Sequence, residues 1–162
     1  MLAMLLDAGP LTALLNPNDQ WHAWARDTMR RLTAPLLTTE PVLTEAFYLL
    51  RREGCNADEV FALAEDGVIK IGLRFEDERA ALRELMARYR DVPMSLADAT
   101  LVRLAELNQD VRVFTLDADF RIYRRYRSKL IPVLMPDDQT PGSYLAETPV
   151  PYRVRPRPAK GT

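Results

Sequence analysis

Four acidic side chains in this sequence stand where a carboxylate is either costly or well placed for chemistry. Asp7 directly follows the apolar run "LAMLL" of residues 2–6, and Asp117 directly follows the strand-like run 111–116 in "VFTLDADF", with Asp119 two residues on. Asp98 lies in "SLADATLVRLAEL", on the same helical face as Leu101, Val102 and Ala105 and so inside an apolar stripe. Glu45, in "PVLTEAFYLLRR", stands beside Val42 and Leu49 at the edge of another. Carboxylates gathered in one cleft repel one another and raise each other's pKa. A hard divalent cation, Mg2+ or Mn2+, relieves that repulsion through oxygen ligands and polarises a phosphodiester or activates a water. Each acid also has a plainer reading. Asp7 and Asp117 suit turns or caps, Ser95 and Asp98 have the spacing of a capping box, and Glu45 suits a solvated helix edge.

The sequence offers little competing chemistry. His22 is the single histidine, in "QWHAW", where a surface or helix-packing role is expected. Cys55 is the single cysteine, which excludes an internal disulfide and a cysteine zinc site and favours a reducing, cytoplasmic setting. With no glycine-rich phosphate loop and no G-x-S-x-G elbow, nucleotide-triphosphate binding and serine hydrolysis lack support. A Mg2+-dependent phosphatase would show a second Asp two residues after the first, where this chain has Gly9. Behind Asp117 runs "RIYRRYRSK", with Arg121, Arg124, Arg125, Arg127 and Lys129. Beside an acidic metal pocket these charges would gather nucleic-acid phosphates; otherwise they form a solvated basic loop or helix.

Bringing such residues together requires elements that alternate. Strands are expected over residues 2–6, 35–39, 68–73, 111–116 and 130–135. Helices are expected after "GP" at 9–10, over 19–32 with Asp19 as N-cap, from Pro41 to Arg52 with Gly54 as the stop, and over 57–65 before Gly67. Two more are expected over 76–90 and 95–108. Strands separated by helices imply an α/β fold with a parallel sheet covered on both faces. At the carboxyl ends of such strands, where Asp7 and Asp117 fall, open sheets bind their ligands.

A chain of 162 residues, 48% hydrophobic and 28% charged, suits one domain with its own core. A formal net charge of −1 excludes coating of nucleic acid by bulk charge, so any such contact comes from a local patch. The apolar N-terminal segment lacks a basic flank and is interrupted by Asp7, so neither a signal peptide nor a membrane segment is expected. Seven of the twelve prolines lie in residues 132–162. The domain is therefore expected over 1–135, followed over 136–162 by an extended, Pro-rich basic tail, either a plain terminus or a contact for nucleic acid or a partner.

The segments "LLDAGPLTALL", "LTTEPVLTEAFYLL", "MSLADATLVRLAE" and "VFTLDADFRIYRR", in this order, resemble a PIN domain, and more narrowly the VapC-type toxin nucleases of toxin–antitoxin pairs. The resemblance spans residues 2 to about 135. It implies a three-layer α/β/α sandwich on a mainly parallel sheet and a metal-dependent endoribonuclease using Mg2+ or Mn2+. Asp7, Glu45, Asp98 and Asp117 would form the catalytic quartet. Asp7, Asp98 and Asp117 would hold metal, and Glu45 would hold metal or position water. Thr115 would orient ligands from behind, with Asp119 as an outer helper, and the five basic residues would bind RNA. The family further implies a homodimer and a small antitoxin. Many relatives carry Ser or Thr where this chain has Gly9, so a polar contribution there would come from backbone amides or Thr12. The alternative is a non-catalytic PIN-like module that binds RNA or protein.

Overall fold

A computed structural model describes residues 2–136, so the expected tail, apart from Pro136, lies outside the described residues. Strand β1 (Ala3–Leu6) leads into helix α1 (Ala8–Leu15) and then α2 (His22–Met29). Strand β2 (Leu36–Thr38) is followed by α3 (Glu40–Arg52) and α4 (Asp58–Glu65), and β3 (Ile69–Ile71) by α5 (Phe75–Arg88) and α6 (Leu96–Leu107). After β4 (Val111–Phe114) come a 3-10 turn over Ala118–Arg121, the short strands β5 (Arg124–Arg125) and β6 (Lys129–Leu130), and β7 (Val133–Leu134).

Five strands make one parallel sheet in the order β3-β2-β1-β4-β7. Helices cover it to give the α/β/α sandwich that the alternation implies. The strand β1 is central, with Leu5 opposite Leu37 on one side and Val113 on the other. Chain order reverses between β1 and β4, so the carboxyl ends of these neighbours form the switch-point crevice of an open sheet. Leu6 pairs with Phe114, and the Asp7 amide donates to the Phe114 carbonyl at 3.0 Å. That register sets Asp7 level with the exit of β4. Leu5, Leu36, Val113 and Phe114 from the sheet meet Leu11, Val42, Leu50, Leu82, Leu101 and Leu104 from the helices, and all of these are almost fully buried.

Several boundaries differ from expectation, each for a local reason. The helix expected over 19–32 is shorter, because the Asp19 carboxylate accepts from the Trp21 amide (2.7 Å) and closes a turn ahead of α2. Trp21 stands at the N-cap instead. The strand expected over 130–135 is divided. Leu130 joins β6, and Pro132, which has no N–H, contributes only its carbonyl, accepting from Val113 at 2.8 Å before β7 begins. The β5–β6 hairpin was not expected. Its turn holds Tyr126 and Arg127 at φ of 50° and 67°, residue types that carry no turn signal for that conformation. Gly54 and Gly67 do adopt positive φ where α3 and α4 end. His22 packs as expected, its Nδ1 against the Ala13 carbonyl at 2.9 Å, and Cys55 is a free, half-buried thiol.

Candidate active site

The first two acids are joined through one threonine. Asp7 caps α1, its Oδ1 accepting from the Ala8 amide at 2.7 Å. Its Oδ2 accepts from the Thr115 hydroxyl at 2.6 Å, and the same Thr115 oxygen accepts from the Asp117 amide at 2.9 Å. Thr115 is completely buried, and its one proton and one of its lone pairs tie the end of β1 to the loop after β4. Asp117 then caps the 3-10 turn, Oδ1 accepting from the Asp119 amide at 2.8 Å. Burial pushes the Asp7 carboxyl up to about 7, against the opposing donors Thr115 and Ala8, and the charges of Asp98 and Glu45 add to the rise.

Asp98 reaches the same crevice from α6. The capping box is present: Ser95 Oγ accepts from the Asp98 amide at 3.1 Å, and Asp98 Oδ2 accepts from the Ser95 amide at 2.8 Å. The helix cap and the acidic crevice therefore share one residue. Burial raises the Asp98 carboxyl despite the Ser95 donors, and Asp117 and Asp119 raise it further. Glu45, on the exposed side of α3, is raised first by partial desolvation and then by Asp98 and Asp117. The quartet and Asp119 are thus coupled by charge. Tyr123 is a participant that sequence reasoning missed. Its hydroxyl donates to Asp98 Oδ2 at 3.5 Å, and burial followed by the charges of Asp98, Asp119 and Asp117 holds the phenol protonated, well above its ordinary value. The signal was the three-residue spacing of Phe120 and Tyr123, masked by the basic residues around them.

The basic run is dispersed over the hairpin. The Arg124 guanidinium donates to the carbonyls of Arg121, Ile122 and Tyr123. Arg125 donates to those of Ala105 and Gln109, at the end of α6 opposite Asp98. Seven residues of helix separate Asp98 from Ala105, roughly 10 Å along the axis. Arg127 pairs with Glu84 at 2.6 Å, while Lys129 is exposed beside the Tyr126 ring and Arg121 is exposed in the 3-10 turn. The departure at Gly9 also has a cause. A Cβ there would stand 3.2 Å from the Leu116 Cβ, so the loop between Thr115 and Asp117 closes tightly over α1. Thr12 is buried, and its hydroxyl has no hydrogen-bond partner among the described residues.

The donors in this crevice are carboxylate oxygens, the set a hard cation prefers, and the hydrogen bonds to Asp7 come from neutral groups that leave its charge uncompensated. In chemistry the residues fit Mg2+ or Mn2+. Among the described residues, however, no group of three or more His, Cys, Asp or Glu side chains stands as a ready-made ligand cluster.

Comparison with solved structures finds VapC20 of Mycobacterium tuberculosis, a Sarcin–Ricin loop cleaving toxin, at a TM-score of 0.64 and 21% identity, over 72% of this chain and 92% of that one. The fold is PIN-like. No protein-family model and no curated protein matches the sequence. At this identity the likeness is one of architecture, and the PIN-like assignment rests on it together with the parallel sheet and its helical layers. Among the described residues no helix is long and apolar enough to cross a membrane.

Proposed function

We propose that this protein is a metal-dependent endoribonuclease and the toxin of a toxin–antitoxin pair. The observation that carries the reading is the link from Asp7 through Thr115 to Asp117 across neighbouring strands, with Asp98 and Glu45 coupled to it by charge. The PIN-like fold, shared with a toxin that cleaves the Sarcin–Ricin loop, supports RNA as the substrate class. Asp7, Asp98 and Asp117 would hold Mg2+ or Mn2+, which when bound supplies charge neutralisation and polarisation of the scissile phosphodiester. Thr115 holds Asp7 in place, and Asp119 holds Asp117 through its backbone amide. Glu45, exposed to solvent as Asp117 also is, accepts a hydrogen bond from water and orients it. Arg121 and Lys129 bring the RNA backbone to the crevice. A homodimer, a small antitoxin covering the acids and a cytoplasmic location complete the proposal.

The purified protein is expected to cut RNA, including an oligonucleotide carrying the Sarcin–Ricin loop, in Mn2+ or Mg2+ and to stop in chelator. Asp7→Asn and Asp98→Asn each abolish cleavage; cutting by both variants at the wild-type rate would assign the activity to a contaminant. The dispersed ligand geometry favours a second reading, a non-catalytic PIN-like binding module. The absence of any thermal shift with Mn2+ would decide for it.

A further inference from the structure

Asp98 Oδ2 accepts two hydrogen bonds, from the Ser95 amide at 2.8 Å and from the Tyr123 hydroxyl at 3.5 Å. The two donors arrive from different parts of the chain. Ser95 belongs to the cap of α6, whereas Tyr123 follows the 3-10 turn that Asp117 caps, and its amide donates to the Asp119 carbonyl at 3.0 Å. Tyr123 is 0% exposed, and its ring is held edge-on by Tyr89 and Phe120 at centroid separations of 5.3 and 5.4 Å. Tyr89 in turn accepts from the Arg124 amide at 2.8 Å, so the ring is fixed from both sides in the chain. A buried tyrosine hydroxyl must find a partner, and among the described residues this one finds only the Asp98 carboxylate.

We propose that Tyr123 is a positioning residue of the acidic crevice. Its hydroxyl and the Ser95 amide together fix Asp98 Oδ2, so that Oδ1, which accepts no hydrogen bond among the described residues, is the oxygen offered to a cation. The same interaction fastens the loop bearing Asp117 and Asp119 to the helix bearing Asp98, which holds the separation of two acids that would otherwise repel each other. The inference rests on the metal-site reading above and adds to it a residue outside the acidic quartet. Groups that hold a ligand carboxylate from behind commonly carry about 10- to 100-fold of metal affinity.

The test is a Mn2+ titration of full-length protein, read by electron paramagnetic resonance of the free ion and so independent of cleavage. Tyr123→Phe keeps the ring and removes only the hydroxyl. It is expected to weaken Mn2+ binding roughly tenfold or more, with the melting midpoint in metal-free buffer nearly unchanged. Tyr48→Phe, which deletes an exposed hydroxyl on α3 away from the Tyr123 ring, is expected to bind Mn2+ as the wild type does. Three results would overturn the proposal. Equal Mn2+ affinity in wild type and Tyr123→Phe removes the positioning role while leaving the metal site intact. Loss of fold along with affinity in Tyr123→Phe makes Tyr123 a core residue. Failure of the wild type to bind Mn2+ removes the metal reading itself, and the role of Tyr123 with it.

Discussion

Asp7 is the most buried of the four acids, and its protonation has a consequence for the whole fold. Its carboxyl titrates near 7 when folded and near 3.8 when free. Between those values the folded state carries more protons than the unfolded one, so stability falls as pH rises. The contribution is complete below the lower value and is lost as pH passes through the upper one. Asp98 and Glu45, both raised, add slopes of the same sign. The melting midpoint of chelated protein is therefore expected to drop between about pH 5 and about pH 8. Asp7→Asn, which cannot ionise, flattens that dependence and melts higher than wild type at the alkaline end. A wild-type midpoint that rises over this range would contradict the burial of Asp7. Stability surrendered at a pocket of like charges is the usual cost of a functional site.

At the level of elements, the β5–β6 hairpin is attached to α5 and α6 by a small set of polar groups. Glu106 accepts from the Tyr126 amide at 2.9 Å through Oε1 and from Arg103 at 2.9 Å through Oε2, and Arg103 also pairs with Glu78 at 2.6 Å. Glu84 pairs with Arg88 and Arg127, but in the open. The Glu106 carboxylate is 10% exposed and that of Glu84 57%, so the inner pair is screened much less. Glu106→Ala is expected to speed amide exchange across residues 124–130 well above wild type while exchange in β1 and β4 stays slow. Glu84→Ala is expected to change it little, since exposed pairs contribute about 0–1 kcal/mol. Hydrogen-exchange mass spectrometry checks both. This attachment was not legible in the sequence. The run "RIYRRYRSK" carries no Asn-Gly or Asp-Gly turn, and pairing with Glu106 spans 20 residues. The helices were legible to within a few residues because their signals are local: Ser95 and Asp98 at the start of α6, Gly54 and Gly67 after α3 and α4.

For the molecule as a whole, a net charge of −1 means that RNA is attracted locally or not at all. RNA affinity of the Asp7→Asn protein, followed by fluorescence anisotropy, is expected to fall steeply as salt rises. Arg121→Ala is expected to make the plot of log affinity against log salt shallower by about 0.7 for each single-strand phosphate that the arginine neutralises. An unchanged slope would place the RNA path elsewhere. Arg124, Arg125 and Arg127 donate to protein partners, Arg127 while largely exposed, so part of the basic run seen in the sequence fastens the hairpin.

By itself the sequence determined which residue types were present, their periodicity and their caps. Those suffice for an α/β chain with acids at strand ends and inside an apolar helix face, because such signals act over a few neighbouring residues. Only the tertiary structure decided which distant groups meet. Thr115 donates to Asp7 across 108 residues because β4 lies beside β1, and Leu116 fills the space above Gly9 for the same reason. Tyr123 reaches Asp98 because a 3-10 turn folds the chain back onto α6. Sheet order and loop return are set by the packing of the whole core, and no local pattern encodes them.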